Sequence, residues 1–401
     1  MVFKKRTRVD LAKKTLLEHI IPIKRQERIP IKDAADRVLA EMIVSVIDVP
    51  DHRRAAMDGY AVRAEETTGA SPANPVLLRE GVDCIRVHTG SPVPDDVDAV
   101  VMIEDTVPAE GGGIVEIHSA VHPSKHVSMT GEDVCHGDTV FGSGHHLRGC
   151  DIAMLGMIGI SYVQVYARPR VAIIPTGSEL VPMQSEPGGG TGKIRETNGI
   201  MVGLYVEKWG GIPVYKDIVI DDPDLIAKAI RTSADCDAII LCGGTSVGAR
   251  DYVPGVIESL GRLLVHGVGM SPGKPAALGM IDTTGKTERE TGAIPVLSLP
   301  GYPVACLIVL LEFGRPAILE LARIPLIPDR LMRARLDAKI ASKIGYRTYT
   351  RVRVTGGVAH PVMTSGAGIL SSVTGSNGFV IIREELEGLD EGDEVDVIQI
   401  E

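Results

Sequence analysis

The stretch Ala238–Asp251 reads A-I-I-L-C-G-G-T-S-V-G-A-R-D, and its reading decides the fold. Ala238 to Cys242 is a short apolar run rich in β-branched residues, as in a buried strand of a parallel sheet. Gly243 and Gly244 end it, because glycine accepts the positive φ of a tight turn and lets a ligand approach the backbone. Thr245, Ser246 and Gly248 then offer short hydroxyls and free N–H groups, and a helix is expected to begin near Tyr252. A strand, a glycine loop and a helix together can hold phosphate through N–H donors and the positive end of the helix dipole. Two readings of Asp251 stand, a helix cap or a ligand for a hard cation that accompanies phosphate.

Two further segments repeat the pattern. Arg170–Leu180, R-V-A-I-I-P-T-G-S-E-L, is a strand followed by Thr176, Gly177, Ser178 and Glu179. Ile294–Phe313 is a strand, then L-P-G-Y-P (Leu299–Pro303), then an apolar helix. Ligands of open α/β sheets bind outside the carboxyl ends of the strands, so the three loops are expected to line one crevice. Pro300 and Pro303 fix φ and remove donors, which makes the third loop rigid. Asp222 followed by Pro223 is helix-start chemistry. It leaves Asp221, one residue earlier, for a ligand. Lys274, in M-S-P-G-K-P (Met270–Pro275), is either a point charge for phosphate on a rigid loop or a surface lysine.

The 401 residues suffice for two to four domains. A formal net charge of -10 argues against non-specific nucleic-acid binding. Six scattered cysteines form no C-x-x-C pair, which speaks against a zinc or redox motif and for a reducing compartment. The longest apolar run, Val304–Leu311, falls short of the roughly 18 residues of a membrane span. The basic N-terminus lacks the apolar core of a signal peptide. A cytoplasmic protein without nucleic-acid or membrane partners is expected.

Along the chain, an amphipathic helix is expected over Val9–Ile20, a short helix over Ile31–Leu39 and a strand over Glu41–Val49. Asp58-Gly59 in A-M-D-G-Y-A is a turn signal. Beside Arg53 and Arg54 it also suits an anion or metal site. A strand-rich stretch follows to Phe141, broken by Gly and Pro. His118, His122 and His126 have helical metal-site spacing, but Pro123 interrupts any helix there. Strand Ile212–Ile220 and a helix from about Gly199 to Trp209, capped by Thr197-Asn198, precede the organising strand. After the linker around Pro325 and Pro328, short alternating strands suggest a small β-barrel or sandwich.

Taken together, the motifs resemble the molybdopterin molybdenumtransferases, the MoeA family that includes the E domain of gephyrin. The resemblance spans the chain. It rests on A-M-D-G-Y-A (Ala56–Ala61), T-G-x-P-x-P (Thr89–Pro94), D-A-V-V-M-x-E (Asp98–Glu104) and G-E-D-V (Gly131–Val134). It continues through T-G-S-E-L (Thr176–Leu180), G-K-I-R-E-T-N (Gly192–Asn198), G-G-T-S-V-G-x-x-D (Gly243–Asp251), P-G-K-P (Pro272–Pro275) and P-G-Y-P (Pro300–Pro303).

The resemblance implies a multidomain α/β plus β fold. Its centre would be a three-layer α/β/α molybdopterin-binding domain with a mostly parallel sheet, over residues 167–322. An N-terminal region, 1–166, would comprise a helical or mixed part (1–46 and 139–166) carrying an inserted β-rich domain (47–138). A small β-barrel would fill 328–401. The implied reaction is insertion of molybdate, or tungstate, into adenylylated molybdopterin, with AMP leaving and Mg2+ assisting. On the resemblance, the functional positions are Asp58, Thr89, Asp133, Glu179, Asp221, Asp251 and Lys274, with Glu179 and Asp251 as cation ligands. Thr176, Gly177, Gly243, Gly244, Thr245, Ser246, Gly248, Ser271, Pro272, Gly273, Pro300, Gly301 and Pro303 would frame the substrate, with Ser371 near it. The arginine of a C-terminal G-R motif is displaced by one here, to Arg347, with Arg351 as the other candidate. Ser271 stands where many members carry a second lysine, and Tyr302 where many carry asparagine. The resemblance also implies a homodimer whose interface completes the site with Asp58, Thr89 and Asp133, and a molybdopterin adenylyltransferase as partner. Alternatives are a molybdopterin adenylyltransferase or nucleotide pyrophosphatase on the same fold, or a gephyrin-like scaffold.

Overall fold

A computed structural model describes residues 6–185, 192–244, 252–283, 292–363 and 366–400. The chain divides into a larger unit, residues 1–26 with 166–401, and a smaller one, residues 27–165. Among the described residues no helix is long and apolar enough to cross a membrane.

The larger unit is built on a sheet of strands β1 (Arg170–Pro175), β2 (Ile212–Tyr215), β3 (Ala238–Cys242), β4 (Gly261–His266), β5 (Ala277–Asp282) and β6 (Ala293–Leu299). Their spatial order is β2-β1-β3-β6-β5-β4. The first four of that order run parallel, and β5 runs antiparallel to both of its neighbours, β6 and β4. Every residue of β3 is buried. Ala238, Ile240 and Cys242 face one core, Ile239 and Leu241 the other. β1 alternates in the same way, with Val171 and Ile173 on one side and Ala172 and Ile174 on the other. Fully burying an Ile or Leu is worth about 1.5–3 kcal/mol. That exceeds the ~1 kcal/mol span of strand propensity, so two-sided burial determines these strands.

Helices cover both faces, as the three-layer expectation requires. Helices α1 (Val9–Leu17), α2 (Asn198–Lys208), α3 (Pro223–Thr232), α4 (Val253–Leu260), α5 (Pro303–Val309) and α6 (Arg315–Ala322) belong to this unit. Val9 and Leu16 of α1, Val202 and Val206 of α2 and Val304 to Val309 of α5 fill the first core. Ile226 and Ile230 of α3 with Val253 and Ile257 of α4 fill the second. Asp222 caps α3, accepting from the N–H groups of Asp224 and Leu225 at 3.0 and 2.9 Å, with Pro223 first in the helix.

The C-terminal strands close into a small barrel. Arg347–Thr355 pairs with Val358–Met363 on one side and Gly378–Ile382 on the other. Leu331–Leu336 and Glu394–Gln399 complete the ring. Inward residues such as Val395 and Val397 alternate with outward Glu394 and Asp396, the period-2 pattern of a barrel wall.

Several local expectations are corrected. β2 ends at Tyr215 rather than Ile220, and the chain returns to the end of β1 only at a single bridge between Thr176 and Val219. β5, unread in the sequence, is a full strand between β6 and β4. Thr197 makes no side-chain cap for α2; the Glu196 carboxylate takes the Gly199 N–H at 2.6 Å instead.

The smaller unit is β-rich. Gly59–Val62 lies between Cys84–Val87 and Ala99–Met102 in one sheet, and Ile114–Ile117 lies between Val76–Arg79 and Thr106–Pro108 in another. Of the helix expected over Ile31–Leu39 only a 3-10 turn, Ile31–Asp33, forms. Asp36 adopts φ 61°, which a continuing helix cannot contain. Of the strand expected over Glu41–Val49 only Ile43–Val44 joins a ladder.

A helix over Gly149–Met157 is anchored by Asp151, which is 4% exposed. Its carboxylate accepts from Arg148 Nη2 at 2.9 Å and from the Arg148 amide at 2.8 Å, and His145 Nε2 lies at 2.9 Å. The Arg148 side chain, with the Arg148 amide and His145, outweighs burial and holds this carboxyl well below the ordinary range. A folded-state pKa below the unfolded one stabilises at neutral pH; the gain starts to decline below about pH 4, the unfolded value, and is lost only as the pH falls through the depressed folded value. Asp151→Asn is expected to cost about 1–3 kcal/mol at neutral pH. The gap between the urea midpoints of the two proteins should be full at neutral pH and shrink progressively below pH about 4, without closing until the pH falls through the depressed folded value.

Candidate functional site

The order β2-β1-β3 places the chain's reversal of direction between β1 and β3. At such a point the two following loops diverge and open a crevice at the carboxyl edge. The loops after β1, β3 and β6 meet there. The Thr176 N–H donates to Cys242 C=O at 3.0 Å, and the Gly243 N–H to Leu299 C=O at 3.0 Å.

Gly243 and Gly244 are dictated by crowding. A Cβ on Gly243 would lie 2.2 Å from the Thr176 carbonyl oxygen. One on Gly244, at φ +70°, would lie 2.7 Å from Val253 Cγ2 and 3.0 Å from Thr176 Oγ1. Gly301 is not crowded in this way: a Cβ there would make only an ordinary contact with Gly243 Cα at 3.8 Å, which shows how near the two loops lie. Thr176 is 2% exposed, and its hydroxyl has no hydrogen-bond partner among the described residues. The crevice floor is thus close-packed backbone with few side chains.

Acids gather at the β1 side. Ser178 and Asp221 bond reciprocally: the Ser178 N–H donates to the Asp221 carboxylate and the Asp221 N–H to Ser178 Oγ, each at 3.1 Å. Glu179 is exposed, and its carboxylate folds back so that a Cβ on Gly177 would meet Oε1 at 2.8 Å. These are hard oxygen donors of the kind a divalent cation takes. Among the described residues no three His, Cys, Asp or Glu side chains converge on one point. Thr245, Ser246, Gly248 and Asp251 lie outside the described residues. Lys193, not singled out from the sequence, and Asn198, read there only as part of a helix cap, also take part. Lys193 Nζ donates to Ser178 C=O at 3.1 Å, and Asn198 Nδ2 to Gly301 C=O at 2.8 Å. Both belong to the G-K-I-R-E-T-N motif, which signalled them.

The loop bearing Lys274 is gripped from two sides. Thr7 bridges Val268, and Met270–Ser271 pairs in parallel with Arg347–Thr348 of the barrel. Ser271 is exposed and Pro272 half-buried. A Cβ on Gly273 would strike Val309 Cγ2 at 2.7 Å. Lys274 is half-buried, and its carbonyl accepts from the Val268 N–H at 3.0 Å.

Arg347 is engaged in ion pairs. Nη2 donates to Asp10 Oδ2 at 2.7 Å, and Nε lies 3.4 Å from Glu384 Oε1. Burial disfavours its charge, and Asp10 with the neighbouring acids more than offsets this, raising its pKa. Arg351 is 1% exposed and donates from Nε to Ser372 Oγ at 3.2 Å. Ser371 is exposed and begins the short helix Ser371–Thr374. The loop before it reaches P-G-Y-P, since the Val304 N–H donates to Ala367 C=O at 3.0 Å. Pro300 is buried and Pro303 opens α5.

In the smaller unit, Asp58 and Thr89 meet. The Asp58 carboxylate accepts from the Thr89 N–H at 2.7 Å and from Thr89 Oγ1 at 2.9 Å, and His88 Nδ1 lies at 3.9 Å. Gly59 permits this, because a Cβ there would lie 1.9 Å from the Val101 carbonyl oxygen. Asp133 is exposed on a separate loop, tied by its N–H to Val49 C=O at 3.0 Å. The Thr89 amide and then its hydroxyl lower the Asp58 pKa. Thr89→Val removes only the hydroxyl, so the Asp58 pKa should rise part of the way to the ordinary carboxylate value. A carboxyl-carbon NMR titration reads this directly, and an unmoved pKa would contradict it.

Comparison with known proteins identifies the family of the chain. A family model described as "MoeA N-terminal region (domain I and II)" matches residues 7–159. One described as "Probable molybdopterin binding domain" matches 172–320, and "MoeA C-terminal region (domain IV)" matches 333–400. The chain is 35% identical over 396 residues to a molybdopterin biosynthesis protein of Methanocaldococcus jannaschii, covering 95% of this chain and 94% of that one. It is 33% identical over 352 residues to molybdopterin molybdenumtransferase 2 of Mycobacterium tuberculosis, covering 80% of this chain and 82% of that one. The crystal structure of the molybdopterin biosynthesis moeA protein of Pyrococcus horikoshii superposes with a TM-score of 0.77 at 33% identity, over 98% of this chain and 100% of that one. The chain belongs to the MoeA family.

Proposed function

We propose that this protein is an enzyme of molybdenum cofactor biosynthesis that inserts molybdate into adenylylated molybdopterin and releases AMP. The observation that carries the reading is the crevice at the β1/β3 switch point, floored by Thr176, Gly243 and Gly301. A ligand with a phosphoanhydride needs such a floor, where backbone can approach closely and polar hydrogens can point outward. The names of the relatives supply the chemistry of metal transfer.

In this reading Lys274 faces the phosphates as a point charge. Asp221, fixed by Ser178, orients the departing adenylyl group. Glu179 and Asp251 would hold a magnesium ion, which supplies neutralisation of phosphate charge. The donor set fits that ion, since carboxylate oxygens with retained waters suit its coordination. Molybdate enters as substrate. A homodimer is part of the proposal: Asp58, Thr89 and Asp133 of one copy serve the crevice of the other. A molybdopterin adenylyltransferase supplying the ester directly is the partner this reading favours, in the cytoplasm.

Purified protein should release AMP from adenylylated molybdopterin in a molybdate-dependent way, with magnesium present. Release without molybdate would instead indicate a pyrophosphatase, and binding without release a scaffold. Glu179→Gln should lower turnover about tenfold or more, the size of one lost contact to a charged group. A mixture of Asp58→Ala and Lys274→Ala proteins, each inactive alone, should regain part of the activity after subunit exchange. No recovery would place both residues in one copy's site.

A further inference from the structure

Tyr302 stands out in the loop that closes the crevice. It lies between Pro300, which is buried, and Pro303, the first residue of α5. Its own backbone is extended, at φ -72° and ψ 128°. The next amide, Val304 N–H, is fixed by Ala367 C=O at 3.0 Å. One edge of the ring rests on Gly368, where an added Cβ would lie 3.1 Å from Cδ1 and 3.5 Å from Cε1. The rest of the side chain is open, and the residue is 68% exposed. Two prolines, one backbone hydrogen bond and one glycine seat therefore hold an aromatic ring out of the core.

Its neighbours place it at the rim of the site. Gly301, the preceding residue, meets Gly243 on the crevice floor and accepts from Asn198 Nδ2. An exposed ring at the mouth of a crevice, with its backbone already ordered, can give a flat contact at little entropic cost. Aromatic faces stack on heterocyclic bases largely without regard to their edge pattern.

We propose that Tyr302 is a binding platform that stacks on a planar nitrogen heterocycle of the ligand, the adenine or the pterin ring. The proposal rests on the function proposed above. Stacking of this kind orients the ligand and leaves the phosphate chemistry to the floor and the acids.

The test measures equilibrium binding of AMP and, separately, of molybdopterin to the full-length protein and to Tyr302→Phe, Tyr302→Leu and Tyr302→Ala. Tyr302→Phe should bind within about twofold of the parent, because it keeps the ring. Tyr302→Leu and Tyr302→Ala should each weaken binding of one of the two ligands about tenfold, and the affected ligand identifies the stacked ring. KM for the adenylylated substrate should rise in step, with kcat changing less. A Leu variant that binds both ligands like the parent would overturn the stacking role and leave the proposed function intact. A parent protein that binds neither ligand would overturn both. Thermal melting of each variant guards against unfolding, which an exposed side chain should not cause.

Discussion

The contact on which the larger unit depends is the backbone seam at the carboxyl edge of its sheet. Thr176 N–H to Cys242 C=O and Gly243 N–H to Leu299 C=O extend the parallel ladder one step beyond the strands. They draw the loops together so tightly that no Cβ fits at Gly243 or Gly244. The two-sided apolar core beneath makes the seam affordable, because β1, β3 and β6 are pinned by side chains on both faces. Polar groups of the floor are thereby held by the architecture, and ligand binding need not order them first.

A second constraint acts on the charges. Asp221 is fixed by a reciprocal pair with Ser178, Asp58 by two bonds from Thr89, and Lys274 by a loop trapped between Thr7 and the barrel. The two carboxylates each accept from a backbone N–H, which does not swing as a long side chain does, and for Lys274 it is the main chain of its loop that is held. Arg347 shows the opposite economy: its guanidinium is committed to Asp10 and Glu384, so it ties α1 to the barrel.

Much of this was legible in the sequence because it is local. The run A-I-I-L-C ending in Gly-Gly, the cap Asp222-Pro223 and the rigid P-G-Y-P loop each carry their conformation in a few residues. β5 was not legible, because an apolar run ending in Asp282 signals neither its partners nor its antiparallel sense. The 3-10 turn at Ile31–Asp33 was over-read as a helix, since the left-handed Asp36 that stops it has no sequence signature as strong as glycine. The ion pair of Arg347 with Asp10 joins residues distant in sequence, and no spacing rule reaches that far. Asn198 and Lys193 lay inside a quoted motif, but their carbonyl partners, Gly301 and Ser178, emerge only from the fold.

The grip on the Lys274 loop also has a consequence for biosynthesis. Val268 is bridged to Thr7, near the start of the chain, and Met270 is paired with Arg347, near its end. A nascent chain can form the central sheet once β6 has left the ribosome, but at that stage one side of the loop still lacks its neighbour. Emergence of the barrel strand beginning at Arg347 supplies it. Closure of the Lys274 loop on its barrel side therefore waits for that strand, and a chain interrupted before the barrel would hold the central sheet with this loop gripped from the Thr7 side alone.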